Sequence, residues 1–300
     1  MSETVAVAVP RKGRPLEAVL DRVARVGGER AAALADSVSS TLRYEKAITK
    51  TRQETEAGPY ERLAAYSDPQ DPHAPEYTLL RDDRDGYPRR IVFDSATVSL
   101  DGYDLRLIGR EEPFRALRTH EFALGFDSAD LVLEEVVELQ AAGLGSLAEI
   151  NRRINPKDTD VRVVTGLGDT VYHTLMATPE LLDGAALDRQ FVAQYTGSLC
   201  ISPRYERLVE AVLGTETTDG VEFVYPGEEA EEEAAIADNG LGVYLTLTGS
   251  TAREHGLVLG EHLFPSETVL MENESEGDET VDQIKTLLSE TVVETELSVT

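Results

Sequence analysis

Thr4–Val9 alternates small and β-branched residues and stops at Pro10, the pattern of a short buried strand. Arg11-Lys12-Gly13-Arg14-Pro15 follows, and then Leu16, Val19, Leu20, Val23 and Val26 recur at helical spacing up to Gly27-Gly28. The chain therefore opens as strand, basic glycine turn and helix, the start of an α/β unit. Glu29–Lys50 has helical character, and the proline-rich stretch Tyr66–Pro75 reads as a loop. Tyr77–Leu80, Arg90–Phe93 and Thr97–Leu100 carry strand patterns, joined by Asp85-Gly86 and Asp101-Gly102 turns.

Further along, strands are expected at Asp104–Ile108, Phe122–Phe126, Val161–Thr165 and Val171–Ala177, with helices at Glu112–Thr119 and Leu131–Ala142. Beyond Thr178-Pro179 the pattern predicts strands at Leu187–Ala193, Val221–Tyr225 and Leu241–Leu247, and helices at Pro203–Leu213 and Glu228–Ala237. Leu263 and Val269-Leu270-Met271 suggest a returning strand, and Val281–Leu288 a final helix before a polar tail. This alternation predicts an α/β fold of two lobes, the second inserted into the first, with a ligand cleft between them at the carboxyl ends of the strands. The expected division is 1–177 for the first lobe, 178–263 for the second and 264–300 for the return. The chain would cross near Thr178 and come back near Pro265.

Charge changes the picture. The 56 acidic and 28 basic residues leave a formal net charge of −28 over 300 residues. Such a field repels nucleic-acid phosphates and anionic lipid headgroups, which excludes a general electrostatic nucleic-acid binder. A hydrophobic content of 41% is too high for a chain disordered throughout. No apolar run approaches the ~20 residues that span a bilayer, and Met1–Pro10 does not read as a secretory signal. A cytoplasmic location is the expectation. Cys200 is the single cysteine, so neither an intrachain disulfide nor a thiolate metal cage is available. Only five basic residues are lysine and none of the residues is tryptophan, and the acids are spread along the chain. That composition fits work in concentrated salt, where the Debye length falls to ~3 Å at 1 M and self-repulsion is hidden.

Two segments carry candidate chemistry. Lys12, Gly13 and Arg14 sit at a strand-to-helix turn, where backbone amides, a helix N-terminus and basic side chains favour an anion; a solvated surface turn is the alternative. Thr248, Gly249, Ser250 and Thr251 follow a strand and precede Arg253, so hydroxyls and amides there form a nest for a phosphate ester, or else merely cap a helix. The acid run Glu228–Glu233 reads as a solvated helix face. His120, His173, His255 and His262 show no metal-ligand spacing, and no nucleophile–His–Asp set stands out.

In order along the chain these segments resemble the ATP phosphoribosyltransferases of histidine biosynthesis. Val9–Arg14 resembles the family's N-terminus. Asp104–Leu107, Arg110, Pro113, Leu124-Gly125 and Asp130 are similar to its second unit, and Val192–Tyr195 to a later strand with its aromatic residue. Leu241–Leu257 resembles the loop that grips the 5′-phosphate of phosphoribosyl pyrophosphate. The resemblance covers residues 1–28 and about 103–274, while 29–102 match poorly and read as a divergent insertion. Departures are Ala123 and Tyr244, each where the family usually carries an acid, and Asp127-Ser128 where it usually has Thr-Gly. The segment after Asn273 is shorter than the regulatory domain of the family's long form.

The resemblance implies two lobes like the periplasmic-binding-protein type II fold and transfer of a phosphoribosyl group from phosphoribosyl pyrophosphate to ATP. It implies Mg²⁺ on the substrate phosphates, and a homo-oligomer or a regulatory partner subunit. Thr248–Thr251 would hold the 5′-phosphate, with Lys12, Gly13 and Arg14 facing the pyrophosphate or the nucleotide phosphates. A non-catalytic subunit that binds a phosphorylated small molecule is the competing reading, and an exported solute-binding protein is a weaker third. The charge makes one prediction by itself. The melting midpoint in molar potassium chloride will lie well above that in dilute buffer, where a Debye length of ~30 Å at 0.01 M lets the acids repel across the molecule; matching midpoints would contradict salt adaptation.

Overall fold

The buried β-branched run at the start of the chain does form a strand, β1 (Thr4–Pro10), in the computed structural model. The structure describes residues 3–49, 54–68, 70–71, 73–81, 89–137, 147–227 and 231–289. The turn expected at Asp85-Gly86, the first residues of the helix expected at Glu228–Ala237 and the polar tail after Ser289 lie outside them.

The chain divides into two units. The first comprises Met1–Asp127, Asp160–Leu167 and Val269–Thr300. Its sheet holds β2 (Glu76–Arg81), β3 (Arg89–Leu100), β4 (Tyr103–Arg110), β5 (Leu124–Ser128), β6 (Val161–Gly166) and β12 (Thr268–Asn273) around β1, in the order β2-β3-β4-β1-β5-β12-β6. β1 runs parallel to β4 from Thr4↔Asp104 to Pro10↔Arg110, and parallel to β5 at Val7↔Leu124 and Ala8↔Gly125. β2, β3 and β4 form an antiparallel meander, and the Asp101-Gly102 turn closes the β3–β4 hairpin at Leu100↔Tyr103. β3 is one strand where the pattern suggested two, because its whole length pairs with β2 and β4.

The helix that follows β1 runs over Gly13–Thr49 with a break at Gly28, whose φ of 69° and ψ of −160° lie in a region essentially confined to glycine. Its two halves fold into a hairpin whose limbs are linked by Arg43 Nη2 and Glu17 Oε2 at 3.5 Å. Leu16, Val19, Leu20 and Val23 from one limb and Ala31, Ala35 and Val38 from the other enter the same core as Val5, Val7, Val9, Leu105 and Phe126. Burying each of the larger side chains contributes about 1.5–3 kcal/mol. Part of the region expected as an insertion is therefore core.

The second unit comprises Ser128–Thr159 and Gly168–Thr268. Its sheet has the order β11-β7-β10-β8-β9, formed by β7 (Val171–Ala177), β8 (Gly197–Cys200), β9 (Val221–Val224), β10 (Leu241–Thr246) and β11 (Val258–Ser266). β7 pairs antiparallel with both β10 and β11, while β8 lies parallel to β10 and β9. This pairing places β7 in the second unit, so the chain leaves the first sheet between Leu167 and Gly168 rather than near Thr178. A further excursion at 128–159 belongs to the same unit, and the final return comes between Thr268 and Val269. Met176, Cys200, Ile236, Ala252 and Leu257 form a core cluster in this unit. The strand expected at Leu187–Ala193 is instead a helix, Arg189–Gln194, whose N-cap Asp188 accepts a hydrogen bond from the Phe191 amide at 2.9 Å.

One buried ion pair anchors the second limb of the hairpin. Glu45, 3% exposed, accepts hydrogen bonds from Arg62 Nε at 2.8 Å, Arg62 Nη2 at 2.9 Å and the Tyr66 hydroxyl at 2.8 Å. Removing one partner leaves the other charge desolvated and uncompensated. Arg62→Ala is therefore expected to destabilise the protein by about 3 kcal/mol in chemical denaturation, whereas Arg115→Ala, which breaks only the exposed pair with Glu112, will change stability by less than about 1 kcal/mol.

Candidate functional site

The first candidate loop begins at the carboxyl end of β1, the middle strand of its sheet. The Arg11 carbonyl accepts from the Phe93 amide at 3.1 Å, and Arg11 Nε donates to the Gly109 carbonyl at 3.1 Å. Arg11 Nη2 also lies 3.7 Å from Asp94. Arg11 is thus committed to stitching the loop onto β3 and β4. Lys12 Nζ is 3.9 Å from Glu111 and remains substantially exposed. Lys12, Gly13 and Arg14 line one side of a cavity of about 390 Å³ whose other walls are the helical hairpin and β3.

The second candidate loop leaves β10 in the second unit. Gly249 has φ 69° and ψ 18° and is the N-cap of the short helix Ser250–Glu254. The positive φ favours glycine, and a Cβ at this position would lie 2.1 Å from Leu259 Cδ1, so that a side chain here would have to displace Leu259. Arg253 Nη1 donates to the Thr248 carbonyl at 2.8 Å, and the Ser250 amide donates to Thr248 Oγ1 at 3.4 Å. Thr248, Ser250 and Thr251 are exposed while Gly249 is buried. The loop thus presents hydroxyls to solvent around the first amides of a helix, groups that have no intrahelical partner. The two loops belong to different units.

The residues that depart from the family resemblance are accounted for locally. Ala123 packs against the first unit's core, and its carbonyl accepts from the Asn273 amide at 2.8 Å. Asp127 is buried and accepts from the Phe114 amide at 3.1 Å. The Tyr244 hydroxyl is pushed up to about 12 by burial, by the charges of Glu232 and Glu233 and by its hydrogen bond to Glu232. A carboxylate therefore stands beside Tyr244 although the position itself is not acidic. Burial, with a lesser contribution from Glu232, also pushes the Cys200 thiol up, so that cysteine is held protonated in the core.

Reading the sequence missed a buried polar cluster in the second unit. His173 on β7 and Asp130 on the helix Ala129–Glu135 are each 1% exposed, with Nε2 and Oδ2 3.5 Å apart. The His173 ring stacks on Phe264 with centroids 4.2 Å apart and meets Tyr205 edge-on at 4.3 Å. Desolvation pushes the Asp130 carboxyl up, but the His173 hydrogen bond and charge, the Tyr205 hydroxyl and Arg204 outweigh it and hold the carboxyl below its ordinary range. The cluster is closed to solvent and clamps a helix, β7 and a turn together. Only separations of 43 and 32 residues along the chain connect its members, so no local motif reveals it.

The sign of the pH dependence follows. A carboxyl depressed in the folded state stabilises fully above its unfolded value of ~3.9, and that contribution is lost as pH falls through the folded value. Stability of the parent relative to Asp130→Asn will therefore shrink as the pH is lowered below about 4, measured by denaturant titration in molar salt. A constant difference would show that Asp130 is not held ionised by its neighbours. Gly249→Ala is expected to cost about 1–3 kcal/mol in the same measurement, from strain at positive φ and from overpacking on Leu259.

Comparison with known proteins gives the family. The chain matches the model of halobacterial ATP phosphoribosyltransferase over residues 1–299, a span that includes the segment 29–102. A search of curated proteins returns no match. Among solved structures the chain is similar to an ATP phosphoribosyl transferase (HisG:HisZ) complex from Thermotoga maritima, at 12% identity and a TM-score of 0.41, covering 95% of this chain and 94% of that one. It is also similar to a periplasmic binding protein of an ABC transporter from Brucella ovis with glutathione bound, at 13% identity and a TM-score of 0.37, covering 61% of this chain and 52% of that one. The assignment rests on the family match rather than on those scores. With two α/β units and a glycine loop closing a strand in each, matched from end to end by one family model, the chain belongs to the halobacterial ATP phosphoribosyltransferases.

Proposed function

We propose that this chain transfers a phosphoribosyl group from phosphoribosyl pyrophosphate to N1 of the adenine of ATP. The observation that carries the reading is the family match over residues 1–299. The Thr248–Thr251 loop, with its exposed hydroxyls around the start of a helix, supports it as a seat for the 5′-phosphate. Lys12 and Arg14, with the Gly13 turn between them, are offered to the pyrophosphate or the nucleotide phosphates.

Displacement at the anomeric carbon builds positive charge on the sugar and negative charge on the departing pyrophosphate. The protein's contribution is then positioning and electrostatic stabilisation, and no protein nucleophile is needed. A magnesium ion carried in on the substrate's own phosphates would offset charge on the leaving group. The chain is proposed to act in concentrated salt in the cytoplasm, as a homo-oligomer or with a regulatory partner subunit. A second reading, a binding subunit that keeps the phosphate loop without the chemistry, draws on Tyr244 and Ala123 standing where the resemblance calls for acids.

Incubation with ATP, phosphoribosyl pyrophosphate and magnesium in molar potassium chloride is expected to yield phosphoribosyl-ATP and pyrophosphate. Thr251→Ala is expected to weaken phosphoribosyl pyrophosphate binding about tenfold while costing no more than about 1 kcal/mol in stability. Tight binding of that substrate without product would favour the non-catalytic subunit, and the absence of binding would remove both readings.

A further inference from the structure

The second unit carries an imidazole that neither candidate loop accounts for. Across the β7–β11 ladder His262 lies opposite Thr174, and its Nδ1 is 2.8 Å from Thr174 Oγ1. The ring stacks on Tyr172 with centroids 4.6 Å apart and planes inclined by 29°. Thr174 is wholly buried, while His262 and Tyr172 are exposed. A hydroxyl has a single proton, and that of Thr174 goes to the Tyr172 carbonyl at 3.2 Å. Toward His262 the same oxygen therefore accepts, which puts the imidazole proton on Nδ1 and leaves Nε2 as an acceptor. A base held in one tautomer by a buried partner is the arrangement that proton abstraction needs.

Its place matters as much. Residues two apart on a strand share a face, so Tyr172, Thr174 and Met176 lie on one side of β7. Met176 clusters with Ala252 of the helix Ser250–Glu254 and with Leu259, the residue against Gly249. The glycine loop and the imidazole thus occupy the same face of one sheet. Thr246, two residues before the loop, pairs with Tyr172. Paired Cα atoms are about 5 Å apart and two residues span at most about 7 Å, so Thr248 lies within about 12 Å of Tyr172. The ionisable groups on the elements around them are engaged elsewhere. Tyr244, opposite Thr174, is hydrogen-bonded to Glu232, and Glu261 is held by Arg189. Arg253 donates to the Thr248 carbonyl, and His255 lies 3.7 Å from Glu231.

We infer that His262 is the general base of the transfer and that Thr174 and Tyr172 position it, an inference that rests on the proposed function. As N1 of the adenine bonds to C1 of the sugar, the bond from C1 to oxygen breaks and its electron pair leaves with pyrophosphate. The adenine then carries a positive charge, which it sheds as a proton from its exocyclic amino group. Nε2 of His262 accepts that proton and returns it to solvent. Proton transfer is thereby added to a displacement that needs no protein nucleophile.

Assays of phosphoribosyl-ATP formation in molar potassium chloride, with NMR of the imidazole nitrogens, test the inference. His262→Gln, at an exposed position, is expected to lower kcat about a hundredfold and leave KM for both substrates nearly unchanged. It should also abolish the parent's fall in rate toward acid pH. Thr174→Val is expected to lower kcat about tenfold and to move the proton of the neutral ring off Nδ1, with Thr174→Ser restoring both; melting midpoints check that each variant is folded. A parent ring protonated on Nε2, an unchanged kcat in His262→Gln or a loss confined to KM would overturn the base while leaving the transferase reading intact. A parent that forms no phosphoribosyl-ATP would remove that reading and the base with it.

Discussion

Parallel pairing of β1 on both edges is the constraint from which the first unit follows. A strand flanked by β4 and β5 has no free edge and needs cover on its faces, so its side chains must be apolar; Val7, Ala8 and Val9 are wholly buried. The chain leaving such a strand turns into a covering helix. The basic residues 11–14 are thereby fixed at the strand's carboxyl end, where open α/β sheets place their ligands. The helix folds back at Gly28, and its return limb brings Arg43 and Lys46 to the same cavity as Lys12 and Arg14. Core formation and the gathering of cations are two results of one chain path.

Electrostatics decides how that path is used. Acids outnumber bases two to one, and several cations are engaged by carboxylates, as Arg62 is by Glu45 and Lys285 by Glu272 and Asp282. Lys285 is held above its ordinary value by its hydrogen bonds to Asp282 and Glu272. The second unit solves a different problem: its ionisable pair, Asp130 and His173, is buried under Phe264 and Tyr205 and serves the core.

Much of this was legible in the sequence because periodicity is local. The alternation of Thr4–Val9, the helical spacing from Leu16 to Val26 and the Asp101-Gly102 hairpin each need only a few neighbouring residues to be read. The α/β class and the family resemblance followed from their order. What escaped depends on long-range pairing. Phe191-Val192-Ala193 is apolar enough to pass for a strand, and only the Asp188 cap and the surrounding helix contacts turn it into a helix. Val171–Ala177 reads as a strand of either sheet, and its antiparallel partners β10 and β11 decide which. Arg43, Lys46 and Arg90 look like solvated charges one by one; the hairpin and β3 bring them to one cavity. The positive φ of Gly249 and its closeness to Leu259 come from the fold, and neither shows in the local sequence.

The central claim is that the loop after β10 is a phosphate seat belonging to a phosphoribosyl transferase. A crystal structure of the chain with phosphoribosyl pyrophosphate, grown from concentrated salt, tests it most directly. The account predicts the 5′-phosphate within hydrogen-bonding distance of the amides and hydroxyls of Ser250 and Thr251. Density for the phosphate away from Thr248–Thr251, with that loop unchanged and solvated, would contradict it.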